Sequence, residues 1–332
     1  MGWLSKLLNK VANDPPPDLI FVTSLRRIGE TPSDVVFEPD GCYVELYVEA
    51  LRLARARRFA STFHGVVYSF VSLSREGDAS AQFAAVSKPE KLATLDEHAI
   101  DRVITVSKQM LAPTPWRGGN LDLQLGLFAV KASNLLTPVL DYVTRVSTTA
   151  GISFAGAVKP FLPLITEGMD LITNQSRDTV IEVGVDTSLT LTKPGVFAVI
   201  AARKGSIDET NLSVDLDGRL LLGDIPLDRA YCVFSIRRTD RKPDYGEIPE
   251  LRVNFAKLLS AIRSNRRKDA DEALSAFRLA AIASSDLISS DARTLIEKAT
   301  RKVKDAFPGG GVAARSDSGR ALESLSDLDL YN

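Results

Sequence analysis

The stretch from 119 to 173 constrains the fold of this chain more than any other. It opens with strict alternation, Leu121, Leu123, Leu125 and Leu127, the two-residue period of a strand with one buried face. It then continues as roughly forty residues that are apolar on nearly every side, a pattern that must be hidden from water. The protein's own core, a partner or lipid could do the hiding. The most hydrophobic window, 151–172, also holds Lys159, Glu167 and Asp170, with Pro160 and Pro163. A charge at a bilayer centre costs about 2.5–3.5 kcal/mol on insertion scales, and the prolines, with Gly151 and Gly156, interrupt any straight helix. A constitutive transmembrane helix is therefore not expected. Burial between a β-domain and C-terminal helices is, with conditional exposure to a membrane or partner as the alternative.

Around this segment the strand signal dominates. Runs at 19–24, 42–48, 59–73, 81–86, 121–130, 180–185, 196–202, 211–216, 219–222 and 231–236 alternate or are rich in β-branched and aromatic residues. In 42–48, Tyr43, Glu45, Tyr47 and Glu49 share one face, opposite Cys42, Val44, Leu46 and Val48. The 81–86 run is placed to pair with 59–73 across Arg75-Glu76-Gly77-Asp78. Asp217-Gly218 predicts a two-residue type I′ hairpin. About nine or ten strands without regular strand–helix alternation favour an α+β fold built on an antiparallel β-sandwich over a parallel doubly wound sheet.

Two helical insertions are expected in this domain, at about 92–111 and 133–173. The first rests on Leu92, Leu95, Ile100, Val103, Ile104 and Leu111 and stops before Pro113 and Pro115. The domain organisation that follows is an amphipathic helix over 1–14, a Pro linker at 15–17, a β-sandwich domain over 18–245, a helical region over 246–307 and a disordered acidic tail over 308–332. In the helical region Pro249 stands at a favoured first-turn position. Leu251, Phe255, Leu258, Leu259 and Ile262 follow it at helical spacing, and two further helices are read at 269–283 and 290–307.

Composition narrows the function classes. The net charge is −1, with 45% hydrophobic and 25% charged residues, so no global field selects nucleic acid. Basic clusters at Arg52, Arg55, Arg57 and Arg58, at Arg237, Arg238, Arg241 and Lys242, and at Arg263, Arg266, Arg267 and Lys268 flank element ends and read as solvated surface. Two cysteines, Cys42 and Cys232, and two histidines, His64 and His98, lack metal-ligand spacing, so no metal or cofactor is expected. The cysteines read as buried free thiols. Gly151-Ile152-Ser153-Phe154-Ala155-Gly156 misses the spacing of a nucleophile elbow by one residue. Asp215 and Asp217 are too few oxygens for calcium and suit a tight turn. His64, inside a long strand, would need a carboxylate such as Glu45 or Glu49 to act as a base. No secretory signal is visible, so a cytoplasmic protein, with membrane association as an option, is the expectation.

The ends carry the sharper signals. Trp3, Leu4, Leu7 and Leu8 fall on one face of the N-terminal helix, opposite Ser5, Lys6, Asn9 and Lys10. Leu325, Leu328, Leu330 and Tyr331 interleave with acidic residues at the C-terminus, as short binding segments do. The expected function is a non-enzymatic binding or adaptor protein that docks protein partners through both termini. One alternative is a peripheral membrane-binding effector using the N-terminal helix and the 133–173 segment. Another is an enzyme with a site near His64.

Overall fold

The structure is a computed structural model, and it describes residues 18–30, 34–53, 57–58, 61–74, 80–86, 103–131 and 179–308. The predicted docking residues Trp3, Leu4, Leu7, Leu8, Leu325, Leu328, Leu330 and Tyr331 lie outside them, as do the 133–173 segment and His98. Among the described residues the chain is mixed α and β, with a large curled sheet, a smaller sheet and three helices. The strands are β1 (Leu19–Arg27), β2 (Tyr43–Arg52), β3 (Arg57–Arg58), β4 (Ser61–Ser74), β5 (Ser80–Val86), β6 (Val103–Pro115), β7 (Asn120–Lys131), β8 (Thr179–Thr190), β9 (Gly195–Ala201), β10 (Leu212–Val214), β11 (Leu220–Leu222), β12 (Ile225–Pro226) and β13 (Tyr231–Thr239). The helices are α1 (Pro249–Arg263), α2 (Arg267–Ala283) and α3 (Ser289–Ala306).

The large sheet has the order β12-β11-β10-β1-β9-β13-β2-β6. All its pairings are antiparallel except the short parallel one between β1 and β10. The smaller sheet runs β3-β4-β7-β8, with β5 also paired to β4 as its sequence implied. One hydrophobic cluster draws on both sheets. Val44, Leu46 and Val48 of β2 and Phe234 and Ile236 of β13 meet Val67 and Val71 of β4 and Leu121, Leu123, Leu125 and Leu127 of β7. The four leucines that opened the sequence argument are fully buried there.

Residues 103–111 correct the first helical insertion: they are strand, not helix. β6 pairs along β2 with three register shifts, at Val44/Leu46, Leu46/Tyr47 and Val48/Ala50. Such bulges break the alternation by which a strand is recognised. Its prolines are tolerated because β6 ends the sheet order, where a missing N–H interrupts no ladder.

The hairpin at Asp217-Gly218 also differs in detail. Only Gly218 has positive φ (81°), whereas a type I′ turn needs two such residues. Gly218 N–H donates to Asp215 O (3.1 Å) and Asp215 N–H to Arg219 O (3.0 Å), a three-residue loop closed by a glycine bulge. The hairpin folds back over the outer face of the large sheet. A Cβ at 218 would lie 3.2 Å from Ala50 Cβ on β2. Beneath it Ala50, Ala198, Ile200, Leu212, Val214, Leu220, Tyr231 and Val233 form a second cluster.

The helices form where the periodicity placed them. α1 starts on Pro249 and buries Leu251, Phe255, Leu258 and Leu259. It ends in a Schellman motif: Asn265 takes φ 53°, and Arg266 N–H reaches Ala261 O (3.0 Å) while Asn265 N–H reaches Ile262 O (2.9 Å). α2 contributes Leu274, Phe277 and Ala281, and α3 Leu295, Ala299 and Val303, to a third cluster that includes Tyr245 and Ile248 of the connecting segment.

Candidate functional site

Two buried polar centres stand out, both on the outer face of the large sheet. The first is built on Glu49, whose neighbours in alternation along β2, Tyr47 and Glu45, point the same way. Its side chain is 8% exposed. Oε1 accepts from Ser235 Oγ (2.5 Å) and from Arg237 Nη2 (2.5 Å), and Arg27 Nη2 lies 3.7 Å away. The Arg237 guanidinium sits 4.1 Å over the Tyr47 ring. Tyr47 OH and Gln109 Nε2 both donate to Glu45 Oε1, at 3.3 and 2.8 Å. Burial, then the nearby Glu45 carboxylate, push the Tyr47 hydroxyl pKa up. Ser235 and Arg237 come from β13 and Gln109 from β6, the two strands that flank β2. The strip thus lies between the β10–β11 hairpin at the Ala50 end and the helices at the Tyr43 end. These side chains bond to one another across three strands and form a polar face with a stacked Tyr–Arg pair, the residue types that anchor protein contacts.

The second centre is the junction of sheet and helices. Asp291, in the first turn of α3, is 5% exposed. Its Oδ2 accepts from Tyr43 OH and from Tyr245 OH, each at 2.6 Å. Ile288 N–H donates to Tyr43 OH (3.3 Å) and Ser289 N–H to Asp40 Oδ1 (3.1 Å). No side chain of α3's own N-cap serves its first N–H groups; Asp40, in the turn before β2, supplies the acceptor for Ser289 instead. Arg117 pairs with Asp40 and donates to Leu287 O (2.6 Å). Nearby, Lys242 Nζ donates to Pro113 O (3.0 Å). Burial draws the Lys242 pKa below its ordinary value, opposed by the charges of Asp286, Glu247, Asp244 and Asp291.

The other sequence candidates resolve locally. Cys42 and Cys232 are free and buried, and burial raises both thiols, Cys232 to about 12. Asp215 Oδ1 accepts the N–H groups of Asp217 (2.9 Å) and Arg219 (2.7 Å), so it shapes the hairpin. His64 lies on β4 opposite Val130, in the smaller sheet, whereas Glu45 and Glu49 belong to the large one. The described basic residues largely meet acids: Arg52 pairs with Asp228, Arg238 with Asp240, Arg266 with Asp269 and Arg267 with Asp271. A shallow depression along the first turns of α2 is lined by Arg267, Lys268, Asp271, Glu272 and Ser275, whose charges pair with each other one turn apart.

The sequence places Tyr43, Glu45, Tyr47 and Glu49 on one face and shows Arg237 only within a basic cluster that reads as solvated surface; Ser235 and Asp291 carry no local signal of their roles. Among the described residues no cluster of His, Cys, Asp and Glu could hold a metal ion, and no helix is long and apolar enough to cross a membrane. No protein-family model, curated protein or solved structure matches the chain.

Proposed function

We propose that this chain is a non-enzymatic binding or adaptor protein, built on a two-sheet β-sandwich, that recruits protein partners through its terminal segments. The observation that carries this reading is how firmly the body is closed at the points where those segments attach. β1 begins at Leu19 and is paired with β9 and then with β10. At the other end Phe307 is 2% exposed, and its carbonyl accepts from Arg267 Nη1 (3.3 Å). Both attachment points are therefore fixed, and a short recognition segment joined to a fixed point is held at high effective concentration near the body. Trp3, Leu4, Leu7 and Leu8 would anchor one contact and Leu325, Leu328, Leu330 and Tyr331 the other.

Affinity purification with mass spectrometry tests this, comparing the full chain with a variant that ends at Phe307 and one that lacks residues 1–14. Each truncation is expected to remove its own set of partners. An unchanged partner set for both would overturn the reading. Co-sedimentation of the same three proteins with anionic liposomes separates protein recruitment from binding to a membrane surface, which would be lost with residues 1–14 alone.

A further inference from the structure

The sheet and the helices close their apolar cores separately. The cluster shared by the two sheets contains no residue of α1, α2 or α3, and the helical cluster contains none of the strands. Hydrogen bonds that join the two bodies gather at one place, from Tyr43, Asp40 and Arg117 on one side to Leu287, Ile288, Ser289 and Asp291 on the other.

Which partner belongs to which body is the informative point. Asp291 accepts two tyrosyl hydroxyls. Tyr43 is the first residue of β2, while Tyr245 packs in the helical cluster. Separating the bodies removes Tyr43 from Asp291 and leaves Tyr245 in place. Asp40 likewise faces Ser289 N–H across the junction but keeps Arg117, which lies on its own side. The buried Asp291 thus keeps a tyrosyl donor when the junction opens, and the part-exposed Asp40 keeps its ion pair with Arg117, so opening avoids the large penalty of a stranded charge. The backbone groups set free, at Leu287, Ile288 and Ser289, can bond to water.

We infer that the helical unit is a cover over one end of the large sheet's outer face, latched by Asp291 and able to swing away as a folded body. The pivot is the segment from Asp240 to Asp244, between the end of β13 and the turn at Tyr245. Lys242 pins it to Pro113 of β6. Opening uncovers the Tyr43 ring. That ring continues the line of Glu45, Tyr47 and Glu49 on β2, so the polar strip lengthens by one residue that is aromatic and fully buried in the closed form. The cover operates without either terminal segment.

Hydrogen exchange read by mass spectrometry on the full chain tests it, at several urea concentrations. In the unsubstituted protein the amides of 287–291 are expected to exchange through an opening with a smaller urea dependence than those of 255–262 and 270–281. Tyr43→Phe removes the hydroxyl that donates to Asp291 and accepts from Ile288 N–H and should speed exchange across 289–291, beyond Ile288 itself, by about 10- to 100-fold, with 255–262 and 270–281 unchanged. Equal urea dependence across all three segments would show one cooperative body and overturn the cover. So would acceleration that spreads evenly into α1 and α2, or none at all.

Discussion

Tyr43 of β2 and Asp291 of α3 stand 248 positions apart in sequence and share a 2.6 Å hydrogen bond in a fully desolvated setting. This contact ties the large sheet to the helices across a junction at which neither the sheet cluster nor the helical cluster contains a residue of the other body. A double-mutant cycle over Tyr43→Phe and Asp291→Asn should give a coupling of about 1–3 kcal/mol in urea unfolding. Additive effects within about 0.5 kcal/mol would mean that the two side chains act independently.

The Glu49 centre makes a second prediction. Glu49→Gln keeps the shape but removes the charge on which Ser235 and Arg237 converge. A loss of about 1–3 kcal/mol is expected, the lower half being favoured because Arg237 is 44% exposed and partly screened by water. Combining it with Arg237→Met should recover part of the loss, read from the same urea transitions.

Two glycines separate backbone strain from steric crowding. Gly218 and Gly205 have nearly the same φ, 81° and 79°, but a Cβ at 218 would lie 3.2 Å from Ala50 Cβ, whereas one at 205 would meet no described atom within 4 Å. Gly205→Ala should cost about 1 kcal/mol from conformation alone. Gly218→Ala should cost about 1–3 kcal/mol more, because β2 must give way. Equal melting temperatures for the two variants would contradict the packing of the hairpin on β2.

Ser69 is fully buried on β4, and its hydroxyl has no partner among the described residues. Ser69→Ala removes a desolvated donor without opening much space, so the variant should be more stable by about 1 kcal/mol. A destabilised variant would point to a partner for that hydroxyl.

Burial pushes the Cys232 thiol from its ordinary 9.0 up to about 12. Between those values the unfolded chain releases a proton that the folded chain retains, so stability is full below pH 9 and is lost as pH rises through this window. The slope for one group is about 1.4 kcal/mol per pH unit. Cys232→Ala should flatten the stability curve above pH 9, and in the unsubstituted protein Cys232 should resist alkylation at pH 8 until urea unfolds it.

Where a pattern is local, the sequence shows it. The alternating leucines of β7, the β4–β5 hairpin, and α1 from Pro249 onward all follow from spacing within a dozen residues. β6 was obscured because Val103, Ile104 and Leu111 fit a helical face, while its strand alternation is broken by three bulges against β2. The Asp217-Gly218 loop is one residue longer than its dipeptide implies because the side chain of Asp215, in place of a second positive φ, holds it. The polar centres were out of reach for a different reason. A buried aspartate in the first turn of a helix looks like any other first-turn acid until the tertiary partner that desolvates it is known.

The position of β1 has a consequence for synthesis. The first of the described strands lies inside the large sheet, between β9 and β10, so both its neighbours leave the ribosome long after it does. At translation rates of roughly 5–20 residues per second that interval is on the order of ten to forty seconds. Through it Ile20, Val22 and Leu25, buried at the end, wait without their ladder, and nascent-chain chaperones have their opportunity there.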